Sequence, residues 1–220
     1  MVPDPKPRDV PQRYEPIAWP RGQRIQLPPR TAPLLVDVVT LMEQRQTRRE
    51  FTRELSLEAL GEFLWLACRS RSSRASQYGP KQESRPHPSA GALHPIHVLV
   101  ARDGEALYRY DPAEHALMEI PGSKSCAVHA LAAARASLEL GQAGVLALVA
   151  EPGKTGSKYE NPASLVWRDA GVVLGYMSVV AEALGLAFCP LGMTGERQLI
   201  EALPGATDLR GVGLAVLGVS

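Results

Sequence analysis

Nine prolines fall between residues 3 and 33, and they decide what the start of this chain cannot be. Each proline ring fixes φ and removes a backbone donor, and each residue before a proline is pushed out of the helical region, so regular helix is forbidden there. Residues 1–33 therefore read as an extended arm that wraps a neighbour or stays partly disordered. Ile17, Trp19, Ile25 and Leu27 favour wrapping, because a freely solvated tail needs no tryptophan. Residues 34–220 are long enough for one domain with a real core.

Past Pro33 the periodicity becomes helical. Leu34, Leu35, Val38, Val39, Leu41 and Met42 recur at three and four residues, which predicts an amphipathic helix. Ser56 is placed to cap a second helix carrying Glu58 in its first turn and Leu57, Leu60, Phe63, Leu64 and Leu66 as its apolar face. Residues 69–87 are polar and read as a long loop. Three short strands are expected over Ile96–Ala101, Ala106–Tyr110 and His115–Ile120, separated by Asp103-Gly104 and Asp111-Pro112, so at least part of the sheet is antiparallel. An alanine-rich helix is expected over Ser125–Leu138, and Gly144–Ala150 is an unbroken apolar run that suits a central strand. Leu165–Leu184 holds only Arg168, Asp169 and Glu182 as charges and predicts a long buried helix. Leu186–Cys189 and Val212–Gly218 read as strands, with a short helix over Glu196–Leu203. Helices on such a sheet make the class α+β.

Composition narrows the function. Twenty-four Lys and Arg against 23 Asp and Glu give a net charge of +1, without the basic excess that phosphate neutralisation on a nucleic acid demands. Cys68, Cys126 and Cys189 are odd in number and widely spaced, and the five histidines show no ligand spacing, so neither a disulfide framework nor a metal site is expected. The opening MVPDPKPRDVPQRYEP has no apolar centre like that of a signal peptide, and no charge-free apolar run is long enough to span a membrane. A cytoplasmic protein is expected.

Three places look chemical. Arg45-Gln46-Thr47-Arg48-Arg49 sits between two helices, where guanidinium groups and a hydroxyl can grip a phosphate or simply cap a helix end in solvent. Pro88-Ser-Ala-Gly-Ala-Leu-His-Pro95 precedes a strand, and its small residues either admit a flat ligand close to the backbone or merely make a tight turn. No glycine-rich dinucleotide or P-loop pattern exists as an alternative. Lys158-Tyr159 can move a proton if the surroundings tune one of them, with Arg168 a possible cationic neighbour, or can be an ordinary surface pair.

Taken in order, these pieces resemble the nitroreductase superfamily, and specifically its SagB-type branch, which includes McbC-like azoline dehydrogenases. The stretch 45–51 matches the family's Arg-Arg-Ser-x-Arg-x-Phe opening. Residues 88–95 match the branch's Pro-Ser-Ala-Gly-Ala-Leu-(Tyr/His)-Pro. Tyr108-Arg-Tyr-Asp-Pro112 and Asp169-Ala-Gly171 also fit. The resemblance implies a nitroreductase-like fold with a mostly antiparallel mixed sheet, flanking helices and a long buried central helix. It implies FMN as cofactor and a homodimer with active sites at the subunit interface. Arg45, Gln46, Thr47 and Arg49 would hold the phosphate and ribityl chain, with Gly192 and Leu191 beside them. Pro88, Ser89, Ala90 and Gly91 would lie against the flavin ring, with Leu93 and Asp169 lining the site. Lys158 and Tyr159 match the branch's catalytic pair, which implies oxidation of a thiazoline or oxazoline in a small-molecule or modified-peptide substrate. Two alternatives stay open: an NAD(P)H-dependent nitro or quinone reductase, and a non-catalytic member. The latter is left open because Gln46 replaces an arginine and Val172, Gly175 and Tyr176 replace the family's histidine and amide residues.

Overall fold

The computed structural model describes residues 3–30, 33–102, 104–196 and 207–220. Its frame is one seven-stranded sheet built from β2 (Arg24–Gln26), β5 (Ile96–Ala101), β6 (Leu107–Asp111), β7 (Ala116–Ile120), β8 (Gly144–Ala150), β10 (Ala187–Leu191) and β11 (Arg210–Gly218). The strand order is β10-β11-β8-β5-β6-β7-β2, and every pairing in it is antiparallel. β8 lies between β11 and β5, buried at all seven positions. Its strict alternation sends Leu146, Leu148 and Ala150 to one face and Val145, Ala147 and Val149 to the other, as the two-residue strand period requires. Its unbroken apolar sequence follows from a sheet covered on both sides.

α2 (Leu57–Cys68) and α5 (Ala163–Ala183) cover the first face, and α3 (Lys124–Arg135) covers the second. α2 begins where expected, with Ser56 Oγ accepting the Ala59 N–H at 3.1 Å. α5 differs from the expected fully buried helix. It buries one stripe, Val166, Asp169, Ala170, Val173, Met177 and Ala181, while Trp167 and Tyr176 are exposed on its other side. A helix apolar on most faces needs a cover on each, and one chain supplies it on only one.

The first helix is shorter than its stripe. α1 (Val38–Gln44) starts after Asp37, whose carboxylate accepts the Thr40 N–H at 2.8 Å. Only Leu41 is buried; Leu34, Leu35, Val36, Val38, Val39 and Met42 form an exposed apolar ridge. The polar stretch 69–87 is also more ordered than a loop. β3 (Ser72–Arg74) and β4 (Gln82–Ser84) pair within it as a separate hairpin, and a 3-10 turn over Ala90–Ala92 follows.

The proline-rich arm packs on its own chain. β2 closes the sheet edge against β7, and β1 (Lys6–Pro7) pairs with β9 (Tyr159–Glu160). Between them, Gln12, Tyr14 and Ile17 donate backbone N–H groups to Ser157 O, Tyr78 O and Glu151 Oε1. The short α4 (Pro152–Gly156) connects β8 to β9. The helix expected over Glu196–Leu203 lies, past Glu196, outside the described residues.

Candidate active site

The motif 88–95 forms a tight platform just before β5. Asp169 reaches it from α5: Ser89 Oγ donates to Asp169 Oδ2 at 2.6 Å, and the Ala90 N–H donates to Oδ1 at 3.1 Å. Ser89 Oγ in turn accepts the His94 N–H at 3.0 Å. Burial raises the Asp169 carboxyl above the usual aspartate range, and the Ser89 and Ala90 hydrogen bonds pull against that rise. Gly91 lies at φ 67°, a left-handed conformation open to glycine. A Cβ there would stand 2.9 Å from Lys158 Cδ and 3.4 Å from Tyr159 Cε2.

The structure thus brings Lys158 and Tyr159 against the platform. Their segment is held by the arm, since the Arg8 N–H donates to Lys158 O at 2.8 Å and Pro7 pairs with Tyr159. The Lys158 ammonium lies 5.5 Å from the ring centres of Tyr159 and of Tyr78, within cation–π range. Arg168 is exposed on α5, and it is these two rings that lie near the ammonium. Tyr78 and Gln82 were not singled out from the sequence. Gln82 Nε2 donates to Gly91 O at 2.9 Å, fastening the hairpin to the platform. The one local signal was Tyr78-Gly79-Pro80, a turn whose Gly79 packs against the Tyr14 backbone so closely that a Cβ would overlap it.

The residues of the motif are placed differently from one another. Leu93 is fully buried, where a large aliphatic side chain anchors the turn. The Ala90 N–H and the Ser89 hydroxyl face Asp169, so Asp169 shapes the platform from behind. Pro88 is exposed, and Ser89, Gly91 and Ala92 are half-buried. Pro88, Ser89 and Ala92 border a cavity of about 520 Å³ under the β3–β4 hairpin, lined also by His87, His94 and Arg85. Burial, aided by Arg85, depresses His87 to about 4 and His94 to about 3, so both are neutral at pH 7.

The clamp residues lie elsewhere. Arg48 Nη2 is 2.6 Å from Glu182 Oε1 near the end of α5, and its N–H donates to Phe188 O of β10. The Gln46 N–H also points at Glu182, at 3.4 Å. Arg45 and Thr47 are half-buried and Arg49 is exposed. Among the described residues neither Arg45 nor Arg49 has a carboxylate within ion-pair distance. Leu191 ends β10, and exposed Gly192 follows it. Asp169 and Glu182 are thirteen positions apart on α5, about 20 Å at the helical rise. One chain therefore separates clamp from platform by much of a long helix.

The nitroreductase family profile matches residues 42–219, which takes in the clamp, the platform and the Lys158-Tyr159 pair. The chain belongs to the nitroreductase family. Solved structures agree on its fold. A protein from Ralstonia eutropha JMP134, provisionally designated a nitroreductase, is 22% identical with a TM-score of 0.69, covering 99% of this chain and 98% of that one. A chain of the E. coli microcin synthetase McbBCD complex, solved with truncated pro-MccB17 bound, is 18% identical with a TM-score of 0.61, covering 89% and 77%. An FMN-dependent nitroreductase from Clostridium difficile R20291 is 15% identical with a TM-score of 0.50, covering 83% and 87%. At these identities the likeness concerns the fold alone. No curated protein matches the chain.

Nitroreductase-family proteins are oxidoreductases, typically with FMN, and the residues present here fit that cofactor. Arg48 is paired with Glu182, while Arg45 and Arg49, two positions either side of Thr47 in the sequence, have no carboxylate within ion-pair distance among the described residues. That donor set suits a phosphate dianion. Among the described residues no helix is long and apolar enough to cross a membrane, and no cluster of His, Cys, Asp and Glu could hold a metal ion.

Proposed function

We propose that this nitroreductase-family chain is an FMN-dependent oxidoreductase of the SagB type that oxidises an azoline ring, in a small molecule or a modified peptide, to an azole. The contact of Lys158 and Tyr159 with Gly91 carries this reading, because it sets a proton-accepting pair against the surface where the flavin ring would rest. Bound there, FMN would accept the hydride that leaves one ring carbon of the substrate. The protein's part is to remove the proton on the neighbouring ring atom, through Lys158 Nζ or Tyr159 Oη. A positioned base of this kind contributes roughly 10² to 10⁴ in rate. The platform, made rigid by Asp169, orients the substrate, and the β3–β4 hairpin limits access of water to it. The presence of the microcin synthetase complex, with its bound pro-peptide, among the structural matches supports a peptide-derived substrate.

The working unit in this reading is a homodimer. The clamp and platform of one chain stand about 20 Å apart along α5, so a second copy that brings its clamp to this platform completes the site. The exposed ridge Leu34–Met42 and the open side of α5 with Trp167 and Tyr176 are the apolar surface such a copy would cover.

Spectroscopy of the purified protein tests the cofactor: a flavin spectrum near one FMN per chain is expected, and a colourless protein that FMN cannot reconstitute overturns the proposal. Lys158→Ala should keep FMN and lose azoline oxidation. Parent-rate oxidation by a variant lacking both Lys158 and Tyr159 removes the pair from the mechanism. Reduction of nitro compounds or quinones by NAD(P)H that survives in that variant, with no azoline oxidation by the parent, favours the reductase reading instead.

A further inference from the structure

The hairpin over the platform cavity is where the chain concentrates positive charge. Residues 69–85 carry five cations and one carboxylate, whereas the rest of the chain has 19 cations against 22 carboxylates. That carboxylate, Glu83, is engaged by Arg85 at 2.9 Å. Arg69, Arg71, Arg74 and Lys81 have no carboxylate within ion-pair distance among the described residues. Arg74 Nε donates to the neutral Gln82 Oε1 at 3.1 Å, and the Arg69 guanidinium lies 4.8 Å from the centre of the Trp65 ring. Burial, and then the neighbouring Arg71, hold Arg69 below the usual guanidinium range. Arg71, Arg74 and Lys81 are exposed. The register that sets Ser72 opposite Ser84 and Arg74 opposite Gln82 confines these charges to a paired stretch about 10 Å long.

Deeper charges balance. Beneath the arm, Glu151 offsets Lys154 beside a neutral His97, whose pKa burial depresses to about 4, and Asp111 Oδ2 lies 3.0 Å from Arg109 Nη2. The uncompensated charge therefore sits on the hairpin. The hairpin also has an unused edge. β3 and β4 form a two-stranded sheet of their own. Gln82 fastens β4 to the platform through Gly91 O, while β3 is exposed at all three positions. Among the described residues β4 is the one strand paired with β3. A free strand edge presents backbone groups that an extended peptide can pair with.

We propose that the β3–β4 hairpin docks an acidic, extended peptide segment along β3 and so brings a peptide substrate to the platform. The purpose assigned to this docking rests on the azoline reading, and it narrows the substrate to a modified peptide with acidic residues near the ring. The position suits that task. Tyr78, in the hairpin turn, has its ring centre 5.5 Å from the Lys158 ammonium, and the cavity of about 520 Å³ beside the hairpin is bordered by Pro88, Ser89 and Ala92. A nucleic acid fits less well. The rest of the chain is net negative and repels a polyphosphate, and the single aromatic ring of the hairpin, Tyr78, already meets Lys158, which leaves bases no free ring to stack on.

Fluorescence anisotropy of the full chain at pH 7, with excess FMN present so that the clamp is filled, tests this. The labelled probes are a peptide of four Asp-Ser repeats, its Asn-Ser counterpart, the Asp-Ser peptide N-methylated on every serine or on every aspartate, and a thymidine oligonucleotide of equal charge. The acidic peptide should bind saturably, and about tenfold more weakly when salt rises from about 50 to about 300 mM. The Asn-Ser peptide and the oligonucleotide should bind at least about tenfold more weakly than it does. One of the two N-methylated peptides should lose about three- to tenfold, because one set of amides faces β3. Replacing Arg71, Arg74 and Lys81 together by glutamine should weaken the acidic peptide by about tenfold or more, while Arg135→Gln on α3 should leave it unchanged. Equal binding of the acidic and neutral peptides, preference for the oligonucleotide, full affinity in both N-methylated peptides, or unchanged affinity in the triple variant overturns the proposal. The probes contain no azoline, so docking without oxidation of an azoline peptide would sink the proposed activity alone, and oxidation without docking would sink this inference alone.

Discussion

In the proposed reading the platform at 88–95 and the clamp at 45–49 serve one cofactor, yet the fold treats them in opposite ways. The platform is over-determined. A buried carboxylate, a glutamine and a buried core leucine fix it from three sides. The clamp is open, tied down by Arg48 and the Gln46 N–H, while Arg49 is exposed and Arg45 half-buried with no carboxylate partner among the described residues. The difference follows from what each must do. A surface that orients a flat ring gains from rigidity that is present before binding, because ordering it later costs entropy. A phosphate grip works through charge, which acts over distance and tolerates side-chain freedom. Damage to the platform should therefore appear as lost stability, and damage to the clamp as lost affinity.

Acid should break the platform first, and by the largest margin. His87 and His94 flank it, depressed by burial to about 4 and about 3, and His97 beneath the arm is depressed to about 4. In the unfolded chain these groups titrate near their ordinary value of about 6.5. Between those limits the unfolded state binds more protons, so stability is full above about 6.5 and falls as pH drops towards 4. The combined loss is a large fraction of a total stability of about 5–15 kcal/mol. Urea unfolding from pH 7 to pH 4 measures it. His87→Gln should remove part of the slope, and a flat profile in the parent chain would show the histidines to be solvated.

Asp169→Ala comes next. It leaves the Ala90 N–H and the Ser89 hydroxyl without their buried acceptor, at a cost of about 3 kcal/mol. Asp169→Asn keeps one acceptor oxygen and should recover much of this. Denaturant midpoints of the two variants decide it. An alanine variant as stable as the parent would mean that the turn holds itself.

How far the sequence revealed all this depends on how local each cause is. Ile96–Ala101 and Gly144–Ala150 appear in the structure with the expected ends, because apolar alternation and flanking turn residues act within a few positions. The Ser56 cap is equally local. The partner of the arm strand is not: Ile25 pairs with Leu117, and nothing near residue 25 names that partner. The motif 88–95 stood out, but the reason it is rigid sits at Asp169, eighty positions away from Ser89. Glu151 and Lys154 went unnoticed. The available signal was a charge directly at the end of a strand buried on both faces, where a solvated turn residue would not be inward. Lys158 and Tyr159 were legible as a pair, whereas their enclosure by Tyr78 and the arm was a matter of tertiary packing.

Arg45→Ala sharpens the contrast from the other side. FMN affinity should fall by about ten- to a hundredfold, the worth of one charge-assisted hydrogen-bonded contact. Stability without ligand should stay within about 0.5 kcal/mol, as for surface substitutions that break no ion pair. Titration of apoprotein with FMN and a urea curve give the two numbers. Unchanged affinity would place the phosphate elsewhere, and a large stability loss would make the clamp structural.

The smallest effect is expected at Asp37, where the two ways of failing can be told apart. Its carboxylate caps α1 by accepting the Thr40 N–H at 2.8 Å, and burial works slightly against the two Thr40 hydrogen bonds that hold its pKa below the usual aspartate range. α1 has only seven residues and one buried side chain, Leu41, so it draws little from packing and depends on its cap more than α2 does. Replacing a capping aspartate by alanine costs about 1 kcal/mol. Because few core contacts report on α1, that cost should loosen the helix locally rather than lower global stability. The loosened helix leads straight into Arg45, so FMN affinity should fall by a few-fold, less than in Arg45→Ala. Hydrogen exchange should show faster opening at Leu41 and Arg45, whose N–H groups bond to Asp37 O and Leu41 O, with rates in β8 unchanged. If protection in β8 fell together with α1, the clamp would be part of the same cooperative unit as the platform, and the division between a rigid surface and an open grip would fail.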